Sequence, residues 1–417
     1  MSLSQATSAG ENAATVGAMS AATTPPSASS TRVPSPHSPW APPPSSVWTQ
    51  SRRRLATAIG RVTRRVRIES SWLESLLAKL EPTLSLAHVR AEVVSVVDET
   101  HDTKSYWLRP NARFGVHKPG SYVSFHLTID GRPVRRSYSL SSPPRADGLI
   151  SITVKRVPGG LVSNWLADHL RPGDVLELSA PAGQFVLPPA VPDTLLMLSA
   201  GSGITPVMSM LRELLATGSS AQIVFIHFAR SPRDIIFHQE LAAIASAHPN
   251  VKLAVCVENA EHADGWVGAV GRFTLELLTE HAPQFREIDT YMCGPAGFME
   301  AVIRCFETAD ADLSRLRYER FDVALDLTKF LNHAQVLRFV RSGVESVSNR
   351  PRTILEEAER AGLDIDSGCR AGNCGACRSK KRSGVVVDVV TGEESTDGEE
   401  DIYPCVSVAR GTVEIEL

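Results

Sequence analysis

The stretch "TLLMLSAGSGITPVMSMLRELLATG", residues 194–218, sets the reading of the fold. Thr194 to Ala200 form a short, mostly apolar run, the pattern of a strand buried on both faces. Gly201 and Gly203 follow at once, and from Ile204 the apolar residues return at helical spacing. Strand, glycine turn and helix open a βαβ unit, and a glycine turn at a helix start suits the close approach of a phosphate. The same alternation continues in "AQIVFIHFARSPRDIIFHQELAAIASAH" (221–248), "VKLAVCVEN" (251–259) and "IDTYMCGPAGFMEAVIRCFET" (288–308). Residues 191–325 therefore read as an α/β domain with a parallel sheet, its ligands expected at the carboxyl ends of the strands.

On the N-terminal side the period changes. "VRAEVVSVVDET" (89–100), "TKSYWLRP" (103–110), "GSYVSFHLTIDGRPVRRSYSLSS" (120–142) and "GLISITVKRV" (148–157) are short β-rich runs broken by turn signals, with "DGRP" as a hairpin connection. One helix, "GLVSNWLADHL" (160–170), interrupts them. Residues 86–190 read as an antiparallel β-barrel or sandwich. On the C-terminal side, "AQVLRFVRSG" (334–343) is a strand and turn, and "TILEEAERAGL" (353–363) is a helix ending at Gly362. The chain is thus multidomain, as 417 residues demand.

The net charge of −3 leaves no folded-looking segment basic enough for general nucleic-acid binding. Seven cysteines, three of them clustered, are too few and too uneven for a disulfide framework and point to metal or catalysis in a reducing compartment. No apolar run approaches the roughly 20 residues of a spanning helix, and the N-terminus lacks the apolar core of a secretory signal. A soluble, cytoplasmic protein is expected. Residues 1–50, rich in Ala, Ser and Pro, read as a disordered tail. Residues 51–85 read as a basic helical segment. Leu55, Ile59, Val62 and Val66 share one face among Arg52, Arg53, Arg61, Arg64 and Arg65, and Ser71 with Glu74 forms a capping box for a second helix. Residues 51–80 are a candidate for contact with a membrane surface or a partner, the alternative being a stripe packed on the body of the protein.

Chemistry concentrates in "DSGCRAGNCGACRSK", residues 366–380. Cys369, Cys374 and Cys377 follow C-x4-C-x2-C, and Cys405 comes after a long gap. This is the spacing of plant-type iron–sulfur ligation. Structural zinc takes ligands in two short pairs and fits the spacing poorly. The interposed glycines let the backbone close in, so that peptide N–H groups reach the cluster sulfurs. Residues 330–417 resemble the plant-type ferredoxin domain, an α+β, β-grasp fold, and the resemblance makes those four cysteines the ligands of a [2Fe–2S] cluster. Residues from about 88 to 322 look like the ferredoxin–NADP reductase family, a flavin-binding barrel followed by a pyridine-nucleotide domain.

Two motifs carry that second resemblance. In "RSYSLSS" (136–142) Arg136 and Tyr138 share one strand face. A guanidinium suits a phosphate, and an aromatic ring stacks on a flavin. The family implies that Arg136, Tyr138 and Ser139 hold the flavin phosphate, ring and reactive nitrogen, with Leu140 and Lys155 in the same binding set. It places Gly160, Val162 and Ser163, at a helix start, on the cofactor diphosphate. FAD is favoured over FMN. The other motif is "AGSGITPVMSM" (200–210), where Pro206 stands in place of the last glycine of G-x-G-x-x-G. The family implies that Gly201, Gly203, Thr205 and Pro206 lie near nicotinamide and flavin, and that Cys293, Gly294 and Pro295 lie beside the nicotinamide ring. Ser139 and Cys293 are the candidate catalytic residues, and Phe321 a candidate flavin neighbour. Arg230, Ser231 and Arg233 follow a strand end where a base would meet the extra phosphate of NADPH, with NADH as the alternative.

The three modules imply an electron path from NADPH or NADH through FAD to the [2Fe–2S] cluster, and from there to a protein acceptor. By resemblance that acceptor is an oxygenase, hydroxylase or fatty-acyl desaturase. A general ferredoxin or flavodoxin reductase, or a slow redox-sensing protein, is the alternative.

Overall fold

The structure, a computed structural model, describes residues 79, 81–85, 87–259, 266–321, 327, 335–363, 365, 367–368, 370–372 and 375–417. The expected tail and nearly all of the basic helical segment lie outside the described residues, as do Cys369 and Cys374.

The first sheet contains β1 (Val89–Thr100), β2 (Thr103–Pro110), β3 (Tyr122–Ile129), β4 (Arg132–Ser139), β5 (Ile150–Lys155) and β6 (Val175–Leu178), paired antiparallel in the order β4-β3-β6-β1-β2-β5. Alternation sorts its residues: Val89, Ala91 and Val93 of β1 point into the core, with partly exposed neighbours between them. The β3–β4 connection is a two-residue turn with both Asp130 (φ 51°) and Gly131 (φ 75°) left-handed, the geometry that Asp-Gly favours. The edge strands meet through the Leu140–Ile152 bridge and a 2.8 Å bond from the Ser141 N–H to the Ser151 carbonyl. The sheet therefore closes into a barrel. Helix α1 (Leu161–His169) seals it with Val162 and Leu166.

The second sheet is parallel throughout. It holds β7 (Thr194–Ala200), β8 (Gln222–Ala229), β9 (Val251–Val257), β10 (Ala269–Val270), β11 (Asp289–Cys293) and β12 (Leu316–Glu319), in the order β10-β9-β8-β7-β11-β12. Helices α2 (Ile204–Ala216), α3 (His238–Ala247), α4 (Leu275–His281) and α5 (Ala296–Thr308) connect them. Separate apolar clusters cover the two faces. Strand order reverses between β7 and β11, which opens a crevice at their carboxyl ends.

Helix α2 is buried on nearly every side because it packs on this sheet and also touches the barrel. Its Arg212 donates from Nε to Glu240 Oε1 at 2.8 Å, from Nη2 to Glu240 Oε2 at 2.5 Å, and from Nη1 to the barrel's Ser141 carbonyl. The guanidinium also lies 4.4 Å over the Phe237 ring. Ser209 donates to the Ser142 carbonyl at 2.8 Å.

The third sheet runs β14-β13-β17-β15-β16, built from β13 (Gln335–Phe339), β14 (Val344–Ser348), β15 (Ser379–Asp388), β16 (Glu400–Ile402) and β17 (Ser407–Ile415). Only β13 and β17 pair in parallel, and α6 (Ile354–Arg360) packs against this sheet, giving the β-grasp arrangement. Thr353 and Glu356 form the capping box of α6.

Glu357 on α6 is buried beside Arg352 (2.7 Å) and Arg360 (2.8 Å). Burial alone would raise its pKa, but hydrogen bonds from Arg352 and Arg360, then Ser348 and Ser346, outweigh it and hold the carboxyl at about 2 against an ordinary 4.5. A depressed carboxylate pKa adds stability that is complete above about pH 4.5 and disappears as pH falls towards 2. The gap in thermal midpoint between the native chain and Glu357→Gln is therefore expected to be full at pH 6 and to shrink steadily below pH 4.5. An unchanged gap at pH 3.5 would contradict this assignment.

Candidate active site

Where barrel, parallel sheet and cysteine loop converge there is a cavity of about 460 Å³. The barrel supplies Arg136, Tyr138, Ser139 and Lys155, and the start of α1 supplies Gly160, Val162 and Ser163. Thr205, Glu319, Arg320 and Phe321 come from the nucleotide-type domain, and Arg370 from the cysteine loop. The alternation of β4 puts Arg136 and Tyr138 on one face while Ser137 turns to Ser124, 2.9 Å away. Tyr138 is propped edge-on against Phe125 at 5.4 Å. The α1 N-terminus has neither a side-chain cap nor an acid in its first turn, and Gly160 to Ser163 at its start line the cavity. The lining carries Arg135, Arg136, Lys155, Arg320 and Arg370 against one carboxylate, Glu319. An aromatic wall, an open helix start and a cationic excess fit an anionic dinucleotide with a flat ring. Leu140 is placed otherwise: it is fully buried in the barrel core.

At the far wall Ser139 Oγ donates to Glu319 Oε2 at 3.1 Å, across 180 residues of sequence. Glu319 is in register with Cys293 of β11, Cys293 with Ser199 of β7, and Ser199 with His227 of β8. Neighbours in register share a sheet face, so four buried polar side chains form one row at the strand ends. Ser199 Oγ lies 2.9 Å from His227 Nδ1, and burial pushes that imidazole down to about 3, keeping it neutral. Burial, reinforced by the Glu319 carboxylate, pushes the Cys293 thiol well above its ordinary value. Cys293 is therefore a neutral thiol, without the reactivity of a thiolate.

The glycine turn touches this row. A Cβ on Gly203 would sit 2.2 Å from the Cys293 carbonyl oxygen and 2.5 Å from the Gly294 nitrogen. Only glycine lets the start of α2 lie against the end of β11. Gly201 takes a left-handed φ of 51°, and Thr205 donates to the Ser202 carbonyl at 3.0 Å. Pro206 is buried in the first turn of α2, and Pro295 caps α5.

Of the three residues expected to meet a nucleotide phosphate, two are less free than their sequence suggests. Arg230 lies 3.3 Å from Asp234 and 3.5 Å from Asp102 of the barrel. Ser231 donates to Asp234 at 2.5 Å, and Lys155 holds Asp102 at 2.9 Å. Arg230 and Arg233 stay solvent-exposed.

Cys377 and Cys405 are both buried in the core of the third domain, neither in a disulfide. Arg370 (φ 55°), Gly372 (φ 78°) and Gly375 (φ 70°) take left-handed backbone conformations, the kind that tight turns need. Two buried soft thiols behind such a loop fit the ligation of an iron–sulfur cluster.

Residues 90–187 match the family described as "Oxidoreductase FAD-binding domain", 197–304 the "Oxidoreductase NAD-binding domain", and 339–410 the "2Fe-2S iron-sulfur cluster binding domain". An NADPH oxidoreductase of Mycobacterium tuberculosis is 35% identical over 81% of this chain and 86% of its own. A glycine betaine monooxygenase reductase subunit of Pseudomonas aeruginosa is 36% identical over 78% of this chain and 93% of its own. The chain belongs to the ferredoxin reductase-type flavoproteins with a C-terminal [2Fe–2S] domain. Phthalate dioxygenase reductase has the same fold, at a TM-score of 0.57 and 24% identity over 79% of this chain and 98% of that one.

This flavoprotein is an NAD(P)H-dependent oxidoreductase that binds FAD, a nicotinamide nucleotide and a [2Fe–2S] cluster. Sequence reasoning singles out Phe321 in "YERF" (318–321) and passes over Glu319. An acid two residues before that aromatic is the available signal. Ser199, His227, Arg212 and Arg370 are likewise not among the residues that motif reading selects. Nothing local marks the first three, because each owes its role to a partner on another strand or domain.

Proposed function

We propose that the chain is the reductase component of an oxygenase system, drawing hydride from NADPH and delivering single electrons to a separate oxygenase. The observation that carries this reading is a cavity lined from all three domains, with Tyr138, Glu319 and Arg370 on its walls. FAD bound there converts a two-electron donor into a source of single electrons, and the cluster accepts these one at a time. Arg136 and the open α1 N-terminus bind the phosphates, with Gly160, Val162 and Ser163 at the diphosphate. Tyr138 stacks on the ring. Ser139 offers its hydroxyl to the ring edge, and Glu319 accepts the hydrogen bond from that hydroxyl when the edge does not. Neutral Cys293, with Gly201, Gly203, Gly294 and Pro295, forms a close, uncharged wall for the nicotinamide. Cys369, Cys374, Cys377 and Cys405 hold the cluster.

NADPH is preferred to NADH in this reading. Arg230 and Arg233 offer exposed guanidiniums, and the nearby Asp234 is already engaged by Ser231 and Lys155, so it makes a poor ribose acceptor. An oxygenase is the favoured acceptor because relatives spanning most of the chain are named as monooxygenase reductase subunits. We assign 86–190 to the flavin, 191–325 to the nucleotide and 330–417 to the cluster, and place the protein in the cytoplasm, where free thiols persist. Among the described residues no helix is long and apolar enough to cross a membrane.

Purified protein carrying both cofactors is expected to reduce cytochrome c with NADPH, with kcat/KM about tenfold above that for NADH. Absence of turnover at full cofactor occupancy would sink the reading. A preference for NADH would overturn only the nucleotide assignment.

A further inference from the structure

Arg370 directly follows the first cysteine of the cluster loop, yet it lines the same cavity as Tyr138 and Phe321. Its backbone is left-handed at φ 55°, a conformation uncommon for any residue with a long side chain. Glycine makes the same turn without steric cost, as Gly372 and Gly375 do nearby. What arginine adds is its guanidinium, which is paired to both carboxylate oxygens of Glu359 on α6, one contact being 3.2 Å. A two-pronged pair of this kind fixes direction as well as distance. The guanidinium is thus tied to the rigid body of the ferredoxin domain, while the residue forms part of the flavin cavity wall.

We propose that Arg370 is a positioning residue that seats the cluster-bearing loop against the flavin cavity, with Glu359 aiming its guanidinium, and so governs how well flavin and cluster are coupled. The proposal rests on the electron path from NADPH through FAD to the cluster. Without this contact the loop loses its one described cationic anchor in that wall and stands further from the ring, and a small misplacement in a preorganised site carries a large rate cost.

The test compares Arg370→Ala, Arg370→Gly and Glu359→Gln, each with FAD and cluster loaded, after rapid mixing with NADPH. Flavin and cluster bleaching are followed at their own wavelengths, and the ratio of the two rates is the readout. That ratio is expected to fall about tenfold in both arginine variants and about threefold in Glu359→Gln. In a second measurement, flavin-stripped protein is titrated with FAD alone. The dissociation constant is expected to rise about threefold or more in the arginine variants, through loss of a cationic wall residue. If Arg370→Gly keeps both the native ratio and the native FAD affinity, the position serves only the turn and the proposal is overturned. An unchanged ratio in Arg370→Ala overturns it equally. If Arg370→Ala loses the cluster's absorbance, Arg370→Lys, which keeps the charge without the fork, carries the test and is expected to show a ratio between native and Gly. Failure of the wild-type cluster to bleach behind the flavin would instead count against the electron path itself.

Discussion

Cys405→Ser is expected to abolish the cluster's visible absorption and lower NADPH-driven cytochrome c reduction about a hundredfold or more. NADPH oxidation with ferricyanide, which takes electrons directly from a flavin, is expected to persist. The reason is chemical: a thiolate is a soft ligand suited to iron–sulfur bonding, and a serine hydroxyl is a hard, weakly acidic one. The reason is also structural. Cys405 is buried at 3% exposure between Pro404, which accepts from the Leu355 N–H at 3.0 Å, and Val406 in the domain core. The Cys405 thiol therefore belongs to the packed body of the domain rather than to the loop, and cluster loss should loosen the third domain. The FAD and nucleotide sites lie mainly on other sheets and should keep their occupancy. Loss of both activities in a chain that still binds FAD would show that the flavin and the cluster do not act as separable modules.

The second large effect is on stability. Arg212→Ala is expected to destabilise the barrel and nucleotide domains by about 3–5 kcal/mol, because it strands the buried Glu240 carboxylate. It also leaves the Ser141 carbonyl without its guanidinium donor. Thermal unfolding followed by flavin release should shift down by about 10 °C. The double variant Arg212→Met with Glu240→Leu should recover much of that loss, since replacing a buried pair by apolar residues is far cheaper than breaking it. If the single and double variants unfold alike, the stranded Glu240 carboxylate is not the source of the loss.

Features that depend on nearest neighbours along the chain are legible in the sequence alone. Strand-turn-helix at 194–218 announces the parallel sheet, Asp130-Gly131 the hairpin turn, and the cysteine spacing the cluster. The flavin motif at 136–142 is equally readable, down to the shared face of Arg136 and Tyr138. Sequence reasoning goes astray where a residue's surroundings come from elsewhere. Leu140 sits inside the motif but points into the barrel core. Arg230 keeps an exposed guanidinium at the expected strand end, and what the sequence does not show is that Asp102 of the barrel lies 3.5 Å from it.

The amino-acid sequence by itself determined the order of the three modules, their strand and helix patterns and the cluster-type spacing of the cysteines, while the flavin and the nucleotide followed from its family resemblance. Periodicity, glycine placement and ligand spacing operate over a few residues, and those distances are set by the covalent chain. Tertiary structure alone decided that Glu319 meets Ser139, that Arg212 joins α2 to the barrel, and that Arg370 lines the same cavity as Tyr138. Such meetings are made by docking one finished surface on another, where burial and matched polar groups select a single arrangement. No local pattern records that choice, because the partners lie tens to hundreds of residues apart.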